Sequence, residues 1–409
     1  MKKTCALILA MIMMLLCTAA GATTAADTNN TALINESKGI ETSANTIRIA
    51  KEIVFINAED TEVREPNITY TYTISSVTPD TADITDKNGN MAHVKAGPMG
   101  AVSSDEGVTA AFADTSFVSV AGGKTSAVKY AEFSFLPSGF TEGPGIYRYQ
   151  IAEACSPAKA AVGITEADGY KANRYLDVYL KWNDARTALE IYGYVLFEGT
   201  KDTDIIASSD VTMKSMGYVN TGTESALKDV DRYETQNLYI HKTTTGSMAD
   251  TGHGFPVKIR LKAPTGLTEN VKMDAAAANG TIATGTAVWD ETSGTVRNGT
   301  TISIKGIPAG ASVQVTETND TVDFYKMKAG TAAGGTDLAL EAIVQPGQSA
   351  AATNELTINA KKDVYFTNTL DTISPTGYVM RFIPYALMLI AGIVLLVIAR
   401  KHRKHTDED

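Results

Sequence analysis

Short runs of alternating apolar and polar residues dominate the interior of the chain. "NITYTYTISSV", "EFSFLPSG", "GIYRYQIAE", "NRYLDVYLKW", "FPVKIRLKAP", "TTISIKGIPAG" and "DVYFTNT" each read as a strand, and Gly, Pro and Asn punctuate them at short intervals. That pattern is the signature of antiparallel sheets. Helical periodicity is confined to the two ends. The prediction is an all-β chain with two tandem Ig-like β-sandwich domains, over 46–220 and 237–372. The polar stretch 221–236, "TGTESALKDVDRYETQ", reads as a linker, and 27–45 as a flexible leader.

The ends change the picture. Residues 1–26 carry Lys2 and Lys3, an apolar run from Cys5 to Cys17 and then small residues. This is a secretory signal peptide, cut after Ala22 or Ala26. Near the C-terminus, 382–399 holds no charge and is bounded by Arg381 and by Arg400, Lys401, Arg403 and Lys404. Its length suffices for a transmembrane helix, with the tail 400–409 on the cytoplasmic side. The chain is thus expected to be exported and held in the membrane by its C-terminus. Cys5 and Cys17 leave with the signal, so Cys155 stands alone and no internal disulfide is available.

Losing two basic residues with the signal, and five basic and three acidic ones with the anchor and tail, takes the net charge from −10 to −14. Such a surface repels nucleic acid. The histidines lack metal-ligand spacing, and "DITDKNGN" lacks the bidentate glutamate of a calcium loop. No nucleophile–base pair or paired-carboxylate signature marks a turnover enzyme. No cofactor and no metal are expected.

Six polar residues fall in the inward register of their strands. Lys51 shares a face with Ile47, Ile49, Ile53 and Phe55, and Lys242 with Leu238 and Ile240. Glu153 follows Tyr149 and Ile151, and Glu317 follows Val313 and Val315. Asn220 follows Tyr218, and Asn368 follows Val364 and Phe366. The order Lys, Glu, Asn occurs once per predicted domain. Burial makes an amine neutral and nucleophilic and keeps a carboxyl protonated. The constellation therefore suits a single-turnover, self-formed isopeptide bond: lysine attacks the asparagine amide, glutamate shuttles protons, and ammonia leaves. Such a bond would replace the missing disulfides. In the first domain Asn183, in "KWND", rivals Asn220 as acceptor.

The C-terminal arrangement resembles the sorting signal of Gram-positive sortase substrates, with Ile373, Ser374, Pro375, Thr376 and Gly377 as the pentapeptide. The proline sits one place later than in the usual Leu-Pro-X-Thr-Gly. The strands "NLYIHKTTTGSMADTGHGFPVKIRLKAP", "TTISIKGIPAGASVQVTETN" and "VYFTNT" resemble Gram-positive pilin subunits with T-antigen-like and Cna B-type isopeptide domains. "IAKEIVFINAE", "GIYRYQIAEA" and "KSMGYVNTGT" resemble them more distantly. The resemblance implies a wall-anchored or pilus-borne structural subunit, released from its membrane anchor when sortase joins Thr376 to an amine. It assigns Lys242 and Lys51 as nucleophiles, Glu317 and Glu153 as catalysts, and Asn368 and Asn220 as acceptors. Implied partners are sortase, neighbouring pilin subunits or peptidoglycan, and a host surface ligand. No Tyr-Pro-Lys-type polymerisation motif occurs, and Lys214 and Lys228 are candidates by position alone. Shaft subunit, ancillary subunit and monomeric wall-anchored adhesin stay open.

Overall fold

The strand Thr46–Ile56 buries every residue of its predicted inward row: Ile47, Ile49, Lys51, Ile53 and Phe55 are each at most 1% exposed. A fully buried Ile or Phe side chain contributes about 1.5–3 kcal/mol, so four of them hold Lys51 inside against its preference for water. The computed structural model in which this is seen describes residues 40–406 apart from 44, 80–82, 86–89, 104–106, 199–214, 224–225, 283–285, 288 and 374. The described residues are predominantly strand, as the alternation predicts. They divide into two units, one running to Thr235 and taking in Pro264–Val271, the other holding Gln236–Ala263 and the chain from Lys272.

In unit 1, Thr46–Ile56 pairs antiparallel with Lys124–Ser134 along its whole length. Its other edge meets residues 231–234 in parallel, Asp231 opposite Ile53, and these pair in turn with Ile164–Glu166. A second sheet runs in the order Leu189–Glu198, Asn173–Trp182, Gly145–Ser156, Ile68–Ser76, Val108–Phe112. Tyr70 and Tyr72 alternate inward along Ile68–Ser76. Arg148 and Asp177, opposite each other on adjacent strands, form a buried bidentate pair at 2.7 and 2.9 Å.

In unit 2, one sheet runs Met273–Ala278, Thr301–Pro308, residues 238–245 of the strand Asp231–Thr245, Lys362–Thr369, Tyr325–Gly330, Ala339–Val344. The other runs Asp290–Val296, Phe255–Lys262, Ala311–Asn319, Gln348–Ala352. One apolar core joins them, with Leu238, Ile240, Val364 and Phe366 from the first and Val257, Ile259, Val313 and Val315 from the second. The first and last strands of the unit are parallel neighbours, Lys242 opposite Phe366 and Thr244 opposite Asn368. Gly246 lets them stay together to their ends. Its φ is +104°, and a Cβ there would lie 2.2 Å from the Leu370 carbonyl oxygen.

Two expectations change, and a third is not borne out among the described residues. The stretch 221–236 is not a free linker, because residues 231–234 are a paired strand of unit 1. The end of the leader is also paired, Ile40–Thr42 lying against residues 47–49 of the lysine strand. The C-terminal apolar segment folds as the helix Pro375–Thr406, exposing Leu387, Leu389, Leu395 and Ile398. Among the described residues, however, no helix is long and apolar enough to cross a membrane. Described side chains of that helix begin at Pro384, two residues into the expected span. The expected signal peptide 1–26, residues 27–39 of the expected leader, Lys214, Asp86 and Asn88 of "DITDKNGN", and Ser374 lie outside the described residues.

Candidate functional site

In unit 2 the three predicted residues meet. Lys242 and Asn368 come from parallel neighbouring strands, and Glu317 projects between them from the facing sheet. Lys242 is 2% exposed, and Glu317 and Asn368 are fully buried. Lys242 Nζ lies 2.6 Å from Glu317 Oε1, off the direction of a hydrogen bond, and 4.4 Å from the centre of the Phe255 ring. Asn368 Nδ2 donates to the same Oε1 at 3.3 Å. Glu317 Oε2 and Asn368 Oδ1 have no partner.

Burial, opposed by Glu317, lowers the Lys242 amine to about 8. About a tenth of it is then neutral at pH 7, far more than for an exposed lysine. Burial likewise raises Glu317 above the usual carboxylate range, against the pull of Lys242. The pocket therefore offers a neutral amine, a carboxyl able to hold a proton, and an amide, with no water-facing atom among them. An unsatisfied buried polar atom costs about 1–3 kcal/mol, so two of them beside a buried ion pair are hard to account for by stability alone.

Unit 1 brings two of its three predicted residues together and supplies a different third. Lys51 Nζ sits 3.2 Å from Glu153 Oε2 and 2.7 Å from Asp231 Oδ2. The lysine and aspartate side chains are fully buried, and that of Glu153 is 2% exposed. Asn220 is not there. Tyr218, two residues earlier, runs parallel beside Lys51, but the Asn220 side chain turns away, its Oδ1 accepting from the Gly222 and Lys228 amides. Asn183 caps an exposed turn, its Oδ1 accepting from the Thr187 amide. Asp231 stands where an acceptor was expected, because residues 231–234 pair in parallel with the lysine strand.

Four further side chains complete this cluster: Tyr70 and Tyr72 from the inward row of Ile68–Ser76, and Lys159 and Tyr170 from outside any alternating strand. Tyr70 Oη donates to Asp231 Oδ2 at 2.6 Å and Tyr72 Oη to Glu153 Oε2 at 2.8 Å. Tyr170 Oη donates to Glu153 Oε1 and accepts from Lys51 Nζ. Lys159 Nζ donates to Asp231 Oδ1 at 3.0 Å and lies 3.3 Å from Glu153 Oε1. Burial raises all three tyrosines, so they stay neutral donors. Burial lowers Lys51 despite the two carboxylates, and the Lys159 charge lowers it further. Lys159 is raised instead: Glu153 and Asp231 together outweigh its burial, so it stays an ammonium.

Residues 236–370 match the model of a family described as a domain of unknown function (DUF7601). No curated protein matches the chain. Similar solved structures include the major pilin of Streptococcus pyogenes, 17% identical with a TM-score of 0.39, covering 81% of this chain and 100% of that one. The major pilin protein T-13 of Streptococcus pyogenes is 20% identical with a TM-score of 0.36, covering 82% and 100%. A pilus-presented adhesin is 13% identical with a TM-score of 0.28, covering 83% and 87%.

Proposed function

We propose that this chain is a structural subunit of a pilus or surface stalk, exported, joined by sortase at Thr376 and stiffened by one intramolecular isopeptide bond per unit. The observation that carries the reading is the dry cluster of Lys242, Glu317 and Asn368, with amine, carboxyl and amide in one apolar core. In unit 2, Lys242 Nζ attacks Asn368 Cγ while Glu317 moves a proton from the amine to Nδ2, which leaves as ammonia. In unit 1, Lys51 attacks Asp231 Cγ, Glu153 carries the proton, and water leaves. Each bond ties the first strand of its unit to a parallel neighbour late in the same unit, so tension along the chain passes through a covalent link. The helix Pro375–Thr406 would hold the newly exported chain in the membrane until sortase cuts between Thr376 and Gly377, leaving the subunit on its neighbour or on the wall.

The test is peptide mapping of the full chain. The expected result is a peptide pair joined at Lys242 and Asn368, about 17 Da lighter than its two halves together, and one joined at Lys51 and Asp231, about 18 Da lighter. Glu317→Ala should remove the first and leave the second. Recovery of all four peptides unjoined would overturn the reading.

A further inference from the structure

We propose that Lys159 is a catalytic residue of unit 1: its ammonium holds Asp231 Oδ1 and stabilises the oxyanion that forms there when Lys51 attacks. The inference rests on the isopeptide reading above, which gives no role to a second lysine.

The two oxygens of Asp231 face different partners. Oδ2 lies 2.7 Å from Lys51 Nζ and accepts from Tyr70 Oη at 2.6 Å. Oδ1 accepts from Lys159 Nζ at 3.0 Å. The amine that attacks is thus on one side of the carboxyl, and a fixed cation is on the other. Lys159 is itself held, by Glu166 Oε1 at 2.9 Å and over the Tyr170 ring at 3.6 Å from its centre, with 14% of its side chain exposed. Two amines at one carboxylate are not equivalent. Lys51 is the one whose proton burial loosens, whereas the surrounding carboxylates hold the proton on Lys159.

Lys51 cedes its ammonium proton to Glu153, and the neutral Nζ adds to Asp231 Cγ. The Cγ–Oδ1 π electrons move onto Oδ1, beside the Lys159 ammonium. Oδ2, hydrogen-bonded by Tyr70, has gained one proton from Glu153 and takes a second from the adding nitrogen through the same carboxylate. The Cγ–Oδ2 bond breaks, the Oδ1 carbonyl re-forms, and one water leaves. An open pocket lined by Glu153, Cys155, Lys159 and Glu166 lies beside the cluster and gives that water a route out. An ionised carboxylate is a poorer electrophile than an amide, so a preorganised cation at the developing oxyanion is where catalysis gains most. Condensation also removes one positive and one negative charge, leaving Lys159 to pair with Glu153 at 3.3 Å.

Unit 2 is a built-in control. Asn368 Oδ1 has no partner at all, and no second cation contacts Glu317 or Asn368 among the described residues. The full chain is therefore sampled at intervals after synthesis and the Lys51–Asp231 and Lys242–Asn368 joined peptides are quantified in the same digests. Lys159→Gln should slow the first bond at least tenfold and leave the second unchanged, while Lys159→Arg, which keeps the charge, should restore most of the rate. A wild-type rate in Lys159→Gln would overturn the proposal with the isopeptide reading intact. Equal slowing in Lys159→Gln and Lys159→Arg would assign Lys159 to packing and overturn it as well, as would a bond found on Lys159 itself. A wild-type chain with no Lys51–Asp231 bond would instead remove the reading beneath it.

Discussion

Replacing Glu317 by Gln keeps the side-chain shape in the unit 2 core but removes the group proposed to move the proton, so Lys242 and Asn368 should stay unjoined. The proposed bond would close a loop of about 126 residues, and the chain-entropy estimate for such a loop is about 5 kcal/mol at 25 °C. Lys242, left buried without its carboxylate, adds to that loss rather than offsetting it. Unfolding can be followed at one site: Trp289 packs against the unit 2 core, and Trp182, the other tryptophan, is exposed enough to replace by Phe. With a guanidinium m-value of about 4 kcal/mol/M, the midpoint reported by Trp289 should fall by about 1.2 M or more. Peptide mapping of the same sample shows whether the bond is absent. An unjoined Glu317→Gln chain whose midpoint falls by less than about 0.4 M would refute the loop-closure argument. A joined one would refute the role given to Glu317.

In unit 1, Asp231→Ala should abolish the water-loss linkage seen by mass, whereas Asn220→Ala and Asn183→Ala should leave it intact. In Asn368→Ala, which keeps Lys242 and Glu317 unreacted, unit 2 should gain stability as pH rises from about 8 towards the unfolded value of 10.5. In that window the unfolded lysine binds a proton that the folded one has lost, so the proton favours the unfolded chain; denaturation midpoints flat between pH 8 and 10 would contradict the burial of the amine. Asp177→Ala leaves the Arg148 guanidinium buried without its carboxylate and should cost about 3–5 kcal/mol in unit 1, read from the denaturation midpoint reported by Trp182. Gly246→Ala meets both an unfavourable φ and the Leu370 backbone, and a loss of about 3 kcal/mol is expected in thermal unfolding.

The inward rows of Lys51, Lys242, Glu317 and Asn368 were legible because the strand period is two and each row is otherwise apolar. Unit 2 could be read almost whole for that reason. Asp231 could not. It opens a strand whose preceding residues, "TGTESALKDV", are polar and turn-rich, and its pairing with Thr46–Ile56 joins residues about 180 positions apart, a separation no local pattern encodes. One signal was present: Asp231, Tyr233 and Thr235 alternate on one face, and all three are buried. Asn220 followed the same rule and failed, because Tyr218 makes an isolated bridge to Lys51 rather than a strand, and the Asn220 side chain turns to accept from the Gly222 and Lys228 amides. Lys159 and Tyr170 lie outside any alternating strand, so periodicity gave no reason to look at them.

The two clusters differ in charge, and the difference matches what each would expel in the proposed condensations. Unit 2 holds one amine and one carboxyl around an amide. Ammonia is a poor leaving group until Nδ2 gains a proton, and burial keeps Glu317 able to carry one. Unit 1 holds two amines and two carboxyls around Lys51, and its acceptor is itself a carboxyl. A protonated Asp231 releases water readily, but an ionised one resists attack, so the requirement moves from the leaving group to the carbonyl oxygen. That is the atom Lys159 contacts. Exchanging the acceptors should therefore be asymmetric. Asp231→Asn gives unit 1 an amide still polarised by Lys159, so its bond should form with loss of about 17 Da instead of 18 Da. Asn368→Asp gives unit 2 a second carboxyl with no second cation, adds uncompensated negative charge beside Glu317, and should join slowly or not at all. Peptide mapping of both variants decides it: equal, rapid joining in the two units would mean that charge balance does not govern which acceptor each unit can use.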